Sequence, residues 1–133
     1  MLVKDVMKEN PVTIQSGVSV LEAKDIMDKN NVARLPVVDK SGSLVGIITS
    51  SDLAKVSPSD ATTLDMFEIS NLLSKMKVEK VMIKSVKTCS MNEPVEDAAR
   101  LMADYKIGCL PVVNEGVLVG IVSATDLFAA FVK

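Results

Sequence analysis

The feature that most constrains this chain is a duplication. Residues 35–53, LPVVDKSGSLVGIITSSDL, return as residues 110–127, LPVVNEGVLVGIVSATDL. Sliding the sequence along itself by 75 places extends the match upstream: Val3, Val6 and Met7 meet Val78, Val81 and Met82, Thr13 meets Thr88, and Val20, Ala23 and Met27 meet Val95, Ala98 and Met102. A one-residue deletion in the second turn changes the offset to 74, and eighteen positions in about fifty are identical. Two repeats are too few for a solenoid, so a closed pair is the economical outcome.

Each repeat reads as strand–helix–strand–strand–helix. A short apolar segment ends at Met7 or Met82, and an extended piece follows at 12–14 or 86–89. Ser19 and Glu22 then have capping-box spacing, ahead of an apolar stripe of Val20, Ala23, Ile26 and Met27. In the second repeat Pro94 suits the first helical turn, where its missing N–H costs nothing, and Val95, Ala98, Ala99, Met102 and Tyr105 make the stripe. The strands at 35–39, 44–49, 110–114 and 118–123 are near-continuous apolar runs, as expected for strands buried on both faces. Gly42 and Gly116 supply the left-handed turns between them, and Asp52 and Asp126 start closing helices, the second reaching Val132.

These signals divide the chain into repeat one at 1–56, a connector at 57–77 and repeat two at 78–133. Residues 57–63, SPSDATT, read as solvated chain. From 64 to 76 a helical pattern returns, with Met66, Ile69, Leu72, Leu73 and Met76 on one side. A bare linker needs no such face, so this helix either packs on the repeats or joins a dimer surface.

Composition narrows the function classes. With 48% apolar residues but only 3% aromatic, the interior of this 133-residue chain must be aliphatic. A net charge of −2 has the wrong sign for a domain that neutralises many phosphates, which argues against a nucleic-acid partner. The chain has no histidine, so Ser-His and Cys-His nucleophile systems and His-based zinc sites are excluded. Cys89 and Cys109, 20 residues apart, read as reduced thiols facing the core. The methionines at 7, 27, 76, 82 and 102 read as core filler, and Glu96 and Asp97 as a solvated helix face. No apolar run approaches the ~18 residues of a membrane span, and MLVKDVMKENP lacks a signal-peptide core. The expectation is a soluble cytoplasmic protein with no membrane partner and no catalytic residues.

The equivalent turns Thr49 to Asp52 and Ser123 to Asp126 are the candidate site. One reading is structural: an Asp at a helix start is a good N-cap. The other is functional: the carboxylate takes both hydroxyls of a ribose, while nearby hydroxyls and helix N-terminal amides take a phosphate. Gly46 and Gly120 each stand alone inside a strand and do not resemble a phosphate-cradling loop.

The ordered duplication of the LPVV strand, the LVGI strand and the Thr/Ser-x-x-Asp turn resembles the cystathionine-β-synthase (CBS) domain pair, or Bateman module, over about 110 of the 133 residues. The connector also resembles that of bacterial acetoin-utilisation proteins, relatives that commonly continue into a further C-terminal domain. The resemblance implies a mixed α/β (α+β) fold of tandem CBS repeats packed as a pseudo-two-fold pair. Its central cleft would hold an adenosyl ligand such as AMP, ADP, ATP, S-adenosylmethionine or NAD as a regulator, with no other cofactor and no metal.

Carried over by position, Asp126 would hold a ribose, with Ser123 and Thr125 on ribose or phosphate and Ile121 against adenine. The opposite repeat would complete that pocket through Val12, Val32 and Ala33. Asp52, Thr49, Ser51 and Ile47 would form a second pocket, completed by Lys87, Ile107 and Gly108. Arg34 stands just before the LPVV strand where repeat two has Cys109. It either meets a phosphate, making the Asp52 pocket the more cationic, or snorkels to solvent. The family also implies a homodimer, for which Leu127, Phe128 and Phe131 offer an apolar contact, and an unidentified downstream protein. The alternative is a dimerisation scaffold that has lost its ligands. Retention of Asp and hydroxyls in both copies favours sensing, because an unpaired buried carboxylate is expensive.

Overall fold

The computed structural model describes residues 1–56 and 65–132; the connector expected at 57–63 lies outside them. In chain order the elements are α1 (Val3–Val6), β1 (Lys8–Glu9), β2 (Ile14–Gln15), α2 (Val20–Asn30), β3 (Arg34–Val38), β4 (Leu44–Thr49), α3 (Ser50–Val56) and α4 (Met66–Lys75). A 3₁₀ turn at Val78–Lys80 follows, then β5 (Cys89–Ser90), α5 (Val95–Tyr105), β6 (Cys109–Asn114), β7 (Val117–Ser123) and α6 (Ala124–Phe131). The expected order of helices and strands recurs in both halves.

Two compact units interleave the repeats. One comprises 1–11, 41–44 and 87–133, and the other 12–40 and 45–86. The opening segment of each repeat is therefore part of the unit built on the other repeat's strands.

In the unit that holds β3 and β4, the sheet order is β2-β3-β4, with β2 parallel to β3 and Ile14 opposite Val37. Its core is Ile14, Val20, Ala23, Met27, Leu35, Val37, Ile48, Leu53, Leu73 and Val78. In the other unit the order is β1-β7-β6-β5, around Val3, Cys89, Ala98, Met102, Leu110, Val112, Val122 and Leu127. Both cores are aliphatic, as the scarcity of aromatics requires. Burial on both faces holds for the centres of β3 and β6, where Leu35-Pro36-Val37 and Leu110-Pro111-Val112 are buried. In β4 and β7 burial alternates, because each has one face only partly covered.

Local chemistry explains the boundaries. Ser19 is the N-cap of α2 and its Oγ accepts the Glu22 N–H at 3.1 Å. Pro94 occupies the same N-cap position before α5, one residue ahead of the first helical turn expected for it. The α5 stripe is also narrower than expected: Ala98 and Met102 are buried, whereas Ala99 is exposed and Tyr105 lies 52% exposed. The turns between the paired strands place Gly42 at φ 87° and Gly116 at φ 83°, a region that favours glycine.

Gly46 and Gly120 have a different purpose. A Cβ on Gly120 would stand 2.8 Å from the Lys8 carbonyl oxygen and 2.8 Å from Met7 Sδ. On Gly46 it would meet Met82 Sδ at 2.6 Å and the Ile83 carbonyl oxygen at 3.0 Å. The bare backbone lets the opening segment lie across the strand, and this fixes Lys8 and Ile83 beside the turns described below.

The connector helix α4 packs on its unit through Leu73, which is buried, and through Ile69 and Met76. Met66 and Phe67 face outward at 77% and 81% exposure, and Leu72 is partly exposed, so the apolar side expected as one face is split. In α6, Leu127 belongs to the core and is removed from the expected dimer contact, whereas Phe128 and Phe131 are exposed.

Candidate functional site

Each candidate turn closes on itself with the same geometry. The Thr49 N–H donates to Asp52 Oδ2 at 2.9 Å, and the Asp52 N–H donates to Thr49 Oγ1 at 3.1 Å. Likewise the Ser123 N–H donates to Asp126 Oδ2 at 2.9 Å, and the Asp126 N–H to Ser123 Oγ at 3.1 Å. This is a reciprocal capping box with Asp in the place usually held by Glu or Gln. It corrects the sequence expectation that the Asp is the N-cap. The hydroxyl residue caps, the helices begin at Ser50 and Ala124, and the Asp is the third helical residue.

The correction matters because the cap occupies only one carboxylate oxygen. Oδ2 holds the cap amide in both turns, so Oδ1 remains for another partner. Capping and ligand recognition are thus compatible roles for one side chain.

Backbone bonds bring the preceding loop onto each turn. The Ser50 N–H donates to the Ala33 carbonyl at 2.8 Å, and the Ala124 N–H to the Gly108 carbonyl at 2.9 Å. In β6 and β7, Cys109 stands opposite Ser123. Ala33 and Arg34 therefore abut the Asp52 turn of their own unit, and Gly108 and Cys109 abut the Asp126 turn of theirs. Val12, Val32, Ala33, Arg34, Ile47, Thr49, Ser51 and Asp52 share one unit. Lys87, Ile107, Gly108, Ile121, Ser123, Thr125 and Asp126 share the other.

Ser51, Thr125, Val12 and Ala33 are exposed, Val32 and Ile107 pack against their cores, and Ile47, Ile121 and both aspartates are half-buried. The Lys87 ammonium lies 4.4 Å above the centre of the Tyr105 ring.

Sequence reasoning missed Lys8. It pairs with Ile121 across β1 and β7, and its Nζ lies 3.6 Å from Asp126 Oδ1. The Lys8 side chain is 72% exposed and that of Asp126 only 12%. The repeat offset puts Ile83 at the corresponding place, and Ile83 bridges Ile47 as Lys8 pairs with Ile121. Among the described residues, Asp52 Oδ1 has no hydrogen-bond or ion-pair partner. The signal was present in the mismatch between Lys8 and Ile83, and in the glycine that lets the segment approach. Asp126 also lines a hollow of about 320 Å³ with Met1, Asp5, Val6, Ala129 and Ala130.

The thiols differ. Burial, with Glu93 adding to it, pushes the Cys89 thiol up to about 12. Cys109 is half-buried at the base of the Asp126 turn. Among the described residues, no three His, Cys, Asp or Glu side chains are grouped to hold a metal ion, and no helix is long and apolar enough to cross a membrane.

The family profile of the CBS domain matches residues 3–59 and 78–133. The chain belongs to the CBS domain family. The two matches are its tandem CBS repeats, and each contains one capped turn.

Among curated relatives, the L-aspartate semialdehyde sulfurtransferase of Methanocaldococcus jannaschii is 37% identical over 131 residues, covering 98% of this chain but 23% of that protein. The chain thus spans about a quarter of the length of such relatives. The solved CBS domain pair of protein MJ0100, in complex with 5′-methylthioadenosine and S-adenosyl-L-methionine, is 37% identical with a TM-score of 0.77, over 98% of this chain and 95% of that one. CBSX2 in complex with AMP is 31% identical with a TM-score of 0.80, over 98% and 96%. A putative acetoin utilization protein (AcuB) of Vibrio cholerae is 29% identical with a TM-score of 0.81, over 99% and 90%.

Proposed function

We propose that this chain is a regulatory module that binds adenosyl ligands, AMP, ADP, ATP or S-adenosylmethionine, at its Asp52 and Asp126 turns and performs no chemistry itself. The observation that carries this reading is that each Asp caps its helix through Oδ2 alone, which leaves Oδ1 outside the cap to accept from a ribose hydroxyl, beside the Lys8 ammonium in the case of Asp126. Thr49 and Ser51, or Ser123 and Thr125, add hydroxyls for ribose or phosphate, while Ile47 and Ile121 offer apolar surface to adenine. Val12, Ala33 and Lys87 are assigned to ligand contact with them. Arg34, next to the Ala33 carbonyl that binds the Asp52 turn, meets a phosphate there. The family membership and the adenosyl ligands of similar CBS pairs support the same class.

Binding regulates by population shift: a ligand favours the conformation for which it has the higher affinity, and only that difference drives a response. The response passes to a downstream protein.

Titration calorimetry with the four ligands tests the reading on wild type, Asp52→Asn and Asp126→Asn. Asparagine keeps an oxygen for the cap amide and removes the charge. Loss of binding in one variant at unchanged melting temperature supports a ligand site at that turn; no binding by wild type to any of the four overturns it. Arg34→Ala should weaken phosphate-bearing ligands by ~1–3 kcal/mol.

A second reading, a homodimeric scaffold without ligand, draws on Phe128 and Phe131, exposed by 67% and 82%. Dimerisation is compatible with sensing, and sedimentation of a monomer at tens of micromolar would count against it.

A further inference from the structure

We infer that Lys8 makes the Asp126 turn selective for adenosyl ligands that carry an anionic group, a cation that the opening segment of the other repeat, with Ile83 in the matching place, does not bring to the Asp52 turn. This inference rests on the adenosyl-binding reading above and assigns the Asp126 turn its ligand class.

The cap at Asp126 engages Oδ2 and leaves the other carboxylate oxygen over. At Asp126 that oxygen, Oδ1, is taken by the Lys8 ammonium at 3.6 Å. A ribose hydroxyl can donate to Oδ1 only if the ammonium moves aside or shares it. A neutral nucleoside gives the displaced ammonium nothing in return. A ligand with a phosphate gives it a new anionic partner, so carboxylate-to-ammonium is exchanged for hydroxyl-to-carboxylate plus ammonium-to-phosphate.

The exchange is feasible because the ammonium sits on a flexible, largely exposed stem, and an ion pair with one solvated partner holds only weakly. The backbone of Lys8 stays fixed by its pairing with Ile121 over the bare Gly120. The head can therefore swing while its root does not.

At the Asp52 turn the same place holds Ile83, backbone-paired to Ile47 by N–H···O bonds of 2.8 and 2.9 Å. The opening segment thus brings an apolar side chain to that turn, and the cation beside it is Arg34, from the strand before Leu35.

The test is titration of adenosine and AMP into the full chain carrying Asp52→Asn, so that the Asp126 turn alone reports, with and without Lys8→Ala or Lys8→Arg. The expected result is a clear preference for AMP that Lys8→Ala reduces by ~10-fold or more, chiefly through weaker AMP binding, with adenosine gaining up to ~5-fold. Lys8→Arg should retain the preference. In the reciprocal background, Asp126→Asn, Ile83→Lys should shift the remaining turn toward AMP.

A preference untouched by Lys8→Ala, or a proportional loss of both ligands, overturns the role of Lys8 while leaving adenosyl binding intact. Absence of adenosine and AMP binding in wild type and in every variant overturns both readings together.

Discussion

The two capped turns are built alike and surrounded differently. Their four capping bonds agree to a tenth of an ångström, 2.9 and 3.1 Å in each. Around that shared frame the cations come from different elements. Beside the Asp126 turn a lysine arrives from the opening segment, and the strand position before Leu-Pro is Cys109. Beside the Asp52 turn the opening segment brings Ile83, and the position before Leu-Pro is Arg34. The backbone frame of a repeat is constrained by its own hydrogen bonds, so duplication preserves it, while the side chains around it are free to diverge.

Substituting the glycines gives the largest effect and tests whether the opening segments lean on the strands as described. Gly120→Ala meets a backbone oxygen at 2.8 Å, which cannot step aside without breaking the pairing of β1. It should cost about 2–3 kcal/mol in urea unfolding, in the range of overpacked sites. Gly46→Ala meets the flexible end of Met82 first and a backbone oxygen only at 3.0 Å, so about 1–2 kcal/mol is expected. Equal and negligible costs would break the claim that the crossing segments need bare backbone.

Removing the caps should have a smaller and symmetrical effect. Thr49→Ala and Ser123→Ala each lose one arm of a capping box, for about 1 kcal/mol. A large difference between them would mean that the turns are less alike than their bond lengths indicate.

Lys8→Ala sharpens the contrast further. With its ammonium mostly in solvent, the pair with Asp126 should contribute no more than about 1 kcal/mol, declining with added salt, while Ile83→Ala has no salt-dependent component. The two cysteines give the smallest effect at neutral pH. Cys89, with its thiol at about 12, should resist alkylation at pH 8, and Cys109 should react first and be protected by a ligand at the Asp126 turn. Because the folded thiol of Cys89 is raised above its ordinary value of 9.0, its stabilising contribution is full below pH 9 and is lost as pH rises toward about 12.

Much of the fold was legible because the duplication let each repeat check the other. The strand pairs, the glycine turns and the helix beginning after Ser19 follow from periodicity and turn chemistry in two copies. Pro94 was misread by one residue even though its alignment with Ser19 pointed to the N-cap. What could not be read was long-range placement. Nothing local says that the opening segment of one repeat pairs with β7 in the unit built on the other, so Lys8 stayed invisible beside Asp126. Leu127 and Phe128 are adjacent apolar residues, and only packing tells that one is core and the other exposed. The Asp of each turn was found, but its position three residues into the helix required the reciprocal bonds to be seen.

The account turns on the claim that each Asp keeps one oxygen for a ligand after capping its helix. The most direct test is calorimetric titration of AMP into wild type, Asp52→Asn and Asp126→Asn, each with its melting temperature measured. The account predicts binding by wild type that one of these variants abolishes without loss of melting temperature; wild-type binding that persists unchanged in both variants would contradict it.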